Sequence, residues 1–193
     1  IAVVRSAYDS QRRHWHGVGG ILLGLGNLLC KLYLTVIRGT PSTVQLLIMY
    51  FIIFGSSQNM MAAAIISFGV NSGAYVAEIV RSGIMSIPKG QMEAGRSLGL
   101  NYATTMRCII IPQAIKNILP ALGNELITLL KETSICTVIG LMDLTKGAMI
   151  VQSRTYAPWV PYLSIAIIYL VIVLILTKLL GIFERRLRES DRR

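Results

Sequence analysis

The sequence predicts an all-α, polytopic membrane protein with about four transmembrane helices and a polar loop between two of them. Hydrophobic residues make up 53% of its 193 residues, and its mean hydropathy is +0.60. Only 15% of the residues are charged, whereas about a quarter is usual in soluble domains. The Lys and Arg residues cluster between long apolar runs, as in membrane proteins that keep positive charge on the cytoplasmic side.

The apolar runs define the expected elements in chain order. Residues 28–37 have helical periodicity and lead to Pro41, where a new helix is expected to begin with Thr40 as its cap. The spans are then predicted at residues 42–54, 60–84, 118–142 and 160–183. The third of these is expected to break near Pro120 and Gly123. A polar connection at residues 143–158 follows it, with Asp143 solvated at the outer interface, and the Gly-rich residues 17–29 receive no assignment.

A polar, helix-forming segment at residues 86–112 interrupts the apolar sequence. Ser86 and Pro88 predict the start of a short helix, Gly99 its left-handed end, and Asn101 the cap of a second helix. A membrane protein gains nothing in the bilayer from such a segment, so we expect it to face water, where a partner can bind it. An ordinary amphipathic surface loop is the alternative.

The positive charges predict the orientation. If the N-terminal tract, the 86–112 loop and the C-terminal tail lie on one side, that side holds all but three of the 19 Lys and Arg residues. Lys146 and Arg154 lie on the other side, and Lys131 lies within a span. The positive-inside rule therefore makes the loop cytoplasmic.

Several classes of function are disfavoured. The formal net charge of +10 forms no basic face and has no accompanying aromatic platform, so nucleic-acid binding is not expected. Cys30, Cys108 and Cys136 are far apart and lack metal-ligand spacing, so they are interpreted as small buried hydrophobes. The sequence contains no GxxxxGK[ST] loop and no convincing catalytic or metal cluster, so the chain should not hydrolyse ATP itself.

The order Glu93-Ala94-Gly95, then Gly99, then Ile109-Ile110-Ile111-Pro112 resembles the cytoplasmic EAA loop of ABC-importer permease subunits. Gly95 stands where Ala is common, and Ile111 where Leu is common. Other stretches resemble the polar amino-acid branch of that family: Arg38-Gly39-Thr40-Pro41 with Gln45, Ser72-Gly73-Ala74-Tyr75-Val76-Ala77-Glu78 with Arg81-Ser82-Gly83, Pro112-Gln113-Ala114, and Lys131-Glu132-Thr133-Ser134. The resemblance covers roughly residue 33 to the C-terminus.

The resemblance implies that the loop docks as a coupling helix into a separate ATPase subunit, which uses the ATP; no cofactor is expected in this chain. The residues assigned to coupling are Glu93, Ala94, Gly95, Arg96, Gly99 and Pro112. Glu93 and Arg96 would pair across the interface, and Gly99 would set the angle between the two helices. Simple solvation of Glu93 and Arg96 is the alternative.

The resemblance also implies the assembly. Further partners would be an extracytoplasmic amino-acid-binding protein and a second permease, either a copy or a paralogue, in a bacterial inner membrane. Family members have five spans, so residues 1–37 are interpreted as a segment that follows a missing first span, with residues 1–4 as its remnant. Residues 38–185 would form the transmembrane domain, and residues 186–193 a cytoplasmic tail.

Polar groups at bilayer depth are costly and often mark a transport pathway. The candidates are Glu78, Asn124, Glu125, Thr128, Lys131 and Glu132. Glu125 could bind the ammonium group of an amino acid, and Asn124 or Lys131 its carboxylate. The alternatives are a local Glu78–Arg81 ion pair and polar contacts that hold helices together.

Together these features predict the permease subunit of an ATP-driven amino-acid importer. An ion-coupled secondary transporter using Glu78 or Glu125, or a membrane scaffold, would be the alternatives. The amino acid carried remains open.

Overall fold

The computed structural model describes the backbone of residues 18–189 and the side chains of residues 24–187, and in that part of the chain every regular element is helical. The expectations for residues 1–4 and for the last residues of the tail lie outside the described residues. The helices are α1 (Val18–Gly39), α2 (Ser42–Ile48), α3 (Met60–Met85), α4 (Lys89–Ser97), α5 (Tyr102–Thr105), α6 (Ile111–Glu132), α7 (Leu144–Thr155) and α8 (Trp159–Glu189). Met49–Ile53 continues α2 as a π-helical turn, Met106–Ile110 joins α5 to α6 in the same way, and Thr133–Ile139 extends α6 as a 3₁₀ helix.

Two of the described helices, Met60–Met85 and Trp159–Leu187, are long and apolar enough to cross a membrane. The number rises to four if each of two interrupted helix pairs forms one span: Gly24–Gly39 with Ser42–Ile53, and Tyr102–Ile139 with Leu144–Thr155. Apolar side chains along α8, such as Ile167, Leu174 and Leu179, are exposed in the isolated chain, as lipid contact requires. The predicted class, an all-α polytopic membrane protein, is confirmed.

The chain divides into two compact units. The described part of the first contains residues 18–39 and 73–122, and so includes α1, the second part of α3, α4, α5 and the first part of α6. The described part of the second contains residues 40–72 and 123–189. Its core is formed by Leu46, Ala64, Phe68, Cys136 and Ile139. Cys136 is thus buried as the sequence predicted, but Cys30 is only half-buried and Cys108 is exposed, so the prediction was wrong for Cys108.

Two local expectations that involve prolines were wrong. The helix is not broken at Pro120, because α6 runs through it without interruption. Proline is tolerated inside membrane helices, where neighbouring groups satisfy the carbonyl that loses its partner. Thr40 does not cap α2: Pro41 occupies the cap position, and the Thr40 hydroxyl instead accepts a 2.8 Å hydrogen bond from Gln45 Nε2.

The stretch at residues 143–158 is mostly helix α7 and not an irregular connection. Asp143 is its N-cap, and its Oδ1 accepts a 2.7 Å hydrogen bond from the backbone N–H of Lys146. The Asp143 carboxylate is therefore a structural cap and is not merely solvated. The unassigned residues 17–29 fall largely within α1.

Candidate functional site

The polar loop between α3 and α6 has a closely packed base. Gly83 of α3 lies so close to Ile118 of α6 that an added Cβ would overlap the Ile118 side chain. Next to this contact, Asn117 Nδ2 donates a 2.8 Å hydrogen bond to the Ser86 hydroxyl. Ser86 was expected to cap α4, but its hydroxyl donates back to the carbonyl oxygen of Gly83, so it belongs to the end of α3. Pro88 is the N-cap residue of α4 and provides no side-chain cap.

Helix α4 presents most of its surface to solvent. Glu93, Ala94 and Arg96, three of the residues predicted to couple, are exposed. Among the described residues, neither the Glu93 carboxylate nor the Arg96 guanidinium has an ion-pair partner. Both charges are therefore available to a second protein. Gly95 is the one buried residue of this helix.

The end of α4 is fixed by two backbone hydrogen bonds. The N–H of Leu100 donates to the carbonyl oxygen of Gly95 at 3.1 Å, and the N–H of Gly99 donates to that of Arg96 at 3.0 Å. This is the Schellman pattern, in which the residue after the cap adopts a left-handed conformation. Gly99 does so, with φ of +81°, as predicted from the sequence. The direction of the chain leaving α4 is thus set by Gly99.

Leu98 was not identified as a site residue from the sequence. In the structure it is the C-cap residue of α4 and is 80% exposed. Leu98 thus adds an exposed apolar side chain to the surface that carries Glu93 and Arg96. Its exposure could have been inferred from its position immediately before Gly99, where the helix was expected to end.

The return from the loop is also ordered. Asn101 Oδ1 accepts a 2.8 Å hydrogen bond from the N–H of Thr104 and caps α5, as predicted. The π-helical turn Met106–Ile110 then leads into α6, whose second residue, Pro112, is exposed. All six residues assigned to coupling lie in the same compact unit.

Glu78 forms the local ion pair that was the alternative to a pathway role. Arg81 Nη2 lies 2.6 Å from Glu78 Oε1, and Arg81 Nε contacts both carboxylate oxygens. Arg38 Nη1 lies 4.0 Å from Glu78 Oε2, and its guanidinium lies over the ring of Tyr75. The Glu78 carboxylate is therefore held by two arginines within the first unit.

The other pathway candidates lie on α6 in the second unit. Asn124, Thr128 and Lys131 are exposed on one face, while Glu125 and Glu132 are half-buried beside it. Glu125 Oε1 accepts a 3.3 Å hydrogen bond from the Ser72 hydroxyl. In the same unit Asn71 donates a 2.9 Å hydrogen bond to Gln45, so further polar side chains pair between α2 and α3. The structure thus groups five of the six candidates on α6 and places Glu78 in the other unit.

Polar side chains on spanning helices and an exposed short helix between two spans are features typical of a membrane transport subunit. Residues 18–189 match the family model of the binding-protein-dependent transport system inner membrane component, and the chain belongs to that family. It is therefore the membrane-spanning permease subunit of an ATP-driven importer, whose family works with a separate ATPase and a substrate-binding protein. Family membership sets aside the secondary-transporter and scaffold alternatives.

Similar proteins are permeases as well. The chain is 42% identical to the arginine transport system permease protein ArtQ of Bacillus subtilis over 89% of this chain and 85% of that protein. It is 35% identical to the glutamine transport system permease protein GlnP of Escherichia coli K12 over 88% of this chain and 85% of that protein. Among solved structures, the chain is similar to one in a crystal structure of an amino acid ABC transporter with histidines. The two sequences are 53% identical and the TM-score is 0.78, over 82% of this chain and 75% of that chain.

The fold also matches a more distant transporter. An inward-facing structure of the MetNI methionine ABC transporter has a TM-score of 0.72 at 19% identity, over 96% of this chain and 83% of that chain. At that identity the likeness concerns the fold alone.

Proposed function

We propose that this chain imports a polar amino acid as the permease subunit of a bacterial inner-membrane ABC transporter. The relatives named for arginine and glutamine transport support the substrate class. The α6 side chains support it physically, because a zwitterion needs an anion for its ammonium group and donors for its carboxylate. Glu125 supplies the anion, and Asn124 or Lys131 the donors.

The exposed α4 surface is the observation that supports coupling. Glu93, Arg96 and Leu98 present two opposite charges and an apolar side chain on a short helix whose end is fixed by hydrogen bonds. Such a helix loses little backbone conformational entropy when it seats in a cleft of the ATPase, because its backbone is already ordered. The surface lies on the side with most Lys and Arg residues, which is the side that contains ATP.

The transport mechanism uses both ends of the polar loop: α4, which binds the ATPase, and the base of the loop, where Gly83 packs against Ile118. When ATP binding closes the ATPase subunits, α4 moves with the cleft that holds it. The packed base at Gly83 and Ile118 passes the movement to α3 and α6, and the pathway turns from inward-facing to outward-facing. The extracytoplasmic binding protein then delivers the amino acid, which is released inward after hydrolysis. A second permease, a copy or a paralogue, completes the pathway.

The test is ATP hydrolysis by a reconstituted complex. The permease is reconstituted in proteoliposomes with its ATPase and its binding protein, and hydrolysis is measured with arginine, glutamine or leucine. We expect a polar amino acid together with the binding protein to raise hydrolysis several-fold and to drive uptake. Equal hydrolysis with and without all three amino acids would refute the proposed substrate class, and failure of the ATPase to bind would refute the docking surface.

A further inference from the structure

The side chain of Thr105 occupies the space beside Gly95. Thr105 lies in α5, is 0% exposed and is one of the two largest fully buried side chains in the described structure. A Cβ added to Gly95 would lie 2.6 Å from Thr105 Cγ2 and 2.9 Å from its Oγ1. Helix α4 therefore meets α5 at a contact that leaves no room for even one methyl group.

Thr105 cannot readily turn away from this contact. Its hydroxyl donates a 3.0 Å hydrogen bond to the carbonyl oxygen of Asn101, one turn earlier. The side chain is branched at Cβ, so rotation about χ1 would exchange one heavy atom for the other beside Gly95. The Thr105 side chain fills the place that a methyl group on residue 95 would take.

The contact spans a point where the backbone could otherwise pivot. Gly99 separates α4 from α5, and nothing lies within 4 Å of the Cβ that it lacks, so apart from the two hydrogen bonds of the turn no side chain packs at that position to restrain it. A glycine in such a place is free to change its backbone angles. Gly95 lies on one side of this point and Thr105 on the other, so their contact fixes the angle between the two helices.

We propose, resting on the function proposed above, that Gly95 and Thr105 are a positioning pair that makes α4 and α5 one rigid body. A displacement of α4 by the ATPase then reaches α6 through α5 and the π-helical turn, and is not absorbed by bending at Gly99. Neither residue needs to touch substrate or nucleotide. The pair determines how much substrate is moved for each ATP hydrolysed.

The experiment measures amino acid imported per ATP hydrolysed in proteoliposomes, normalised to assembled complex. Gly95→Ala inserts a methyl group into the contact, and Thr105→Ala opens it. Gly90→Ala is the matched control, because it makes the same change on the same helix where nothing lies within 4 Å. The Gly95→Ala/Thr105→Ala double variant removes both atoms that the new methyl group would strike, leaving only the Thr105 Cβ at 3.3 Å.

We expect each single variant at the contact to lower the transport-to-hydrolysis ratio by roughly five- to tenfold, from the usual effect of overpacking or loosening a buried contact. The Gly90→Ala ratio should equal that of wild type, and the double variant should recover most of the loss. If the Gly95→Ala variant fails to assemble, the Thr105→Ala variant still tests the positioning role, because this substitution removes atoms and adds none that could clash. If both single variants import as much amino acid per ATP hydrolysed as the wild-type protein does, the positioning role is refuted. The proposed permease function would still stand, because the wild-type protein would still show ATP-driven uptake. A wild-type protein without ATP-driven uptake would instead refute the proposed function.

Discussion

The side-chain amide of Asn117 donates a 2.8 Å hydrogen bond to the hydroxyl of Ser86 at the base of the polar loop. This bond joins the last residues of α3 to α6, beside the contact of Gly83 with Ile118. The loop is thus closed at its base, and α4 and α5 project from a fixed pair of helix ends. Substitutions at the base of the loop are therefore expected to change the stability of the permease. Substitutions on α4 are expected to change its binding to the ATPase.

Gly83→Ala tests the base of the loop. The new methyl group would overlap Ile118, so we expect a destabilisation of about 1–3 kcal/mol, seen as a lower midpoint of thermal unfolding in detergent. Ile118→Ala removes the atoms that the methyl group strikes. The double variant should therefore be more stable than the sum of the two single effects predicts. Additive effects would show that these residues do not contact each other.

Gly99→Val tests the left-handed end of α4. At φ of +81° a β-branched residue is strained by about 1–2 kcal/mol, so α4 should lose its fixed exit direction. We expect weaker assembly with the ATPase and impaired ATP-driven uptake, while membrane insertion stays intact. Gly99→Asn is the control, because asparagine tolerates this conformation and the site has open space around it. Wild-type uptake in Gly99→Val vesicles would contradict the coupling assignment.

Leu98→Asp tests the apolar part of the docking surface. Leu98 is 80% exposed, so its replacement should leave the permease folded. Burial of the aspartate carboxylate in an apolar cleft would weaken ATPase binding about tenfold or more, the effect of losing an interface hot spot. Leu98→Met keeps an apolar side chain and should bind like wild type. The measurement is ATPase affinity for detergent-solubilised permease, and equal affinities for the two variants would place Leu98 outside the interface.

Glu93→Lys tests the charged part of the same surface. The Glu93 carboxylate has no ion-pair partner among the described residues, so its reversal should not disturb the permease itself. Across an interface, reversal brings like charges together and should loosen the permease–ATPase complex, more at low salt than at high salt. Co-purification at two salt concentrations measures this, with Glu93→Gln as an intermediate control. Unchanged recovery at both concentrations would reduce Glu93 to a solvated residue.

The sequence predicted α3 and α8 closely, because continuous apolar runs bounded by turn residues leave few alternatives, but it left the first half of α1 unassigned. The span predicted at residues 60–84 is helix Met60–Met85. It did not predict α7, because the apolar run within residues 144–155 is only four residues long and polar residues flank it; the helix begins after the Asp143 cap. Pro120 was misjudged because its general effect on helices was given more weight than its tolerance in membrane spans.

The candidate site was predicted unevenly, for a physical reason. The Gly99 turn and the Asn101 cap depend on local backbone chemistry and could be predicted from neighbouring residues. The contact of Gly95 with Thr105 could not, because it depends on the angle between two helices that the intervening turn sets. The exposure of Leu98 follows from the same turn, which carries the residue out of the helix face that periodicity alone would give it.

Glu125→Gln tests the pathway side of α6. Gln keeps an oxygen that can accept the hydrogen bond from the Ser72 hydroxyl, so the local structure should survive while the negative charge is lost. If the Glu125 carboxylate binds the substrate ammonium group, the concentration of binding-protein-delivered amino acid needed for half-maximal uptake should rise about tenfold, the usual size of a lost charge-assisted hydrogen bond. ATPase docking should be unchanged, because α4 is untouched. Ser72→Ala is the control for the hydrogen bond alone. Uptake kinetics equal to wild type in Glu125→Gln would remove this residue from the pathway, and equal losses in Glu125→Gln and Ser72→Ala would assign it to helix packing.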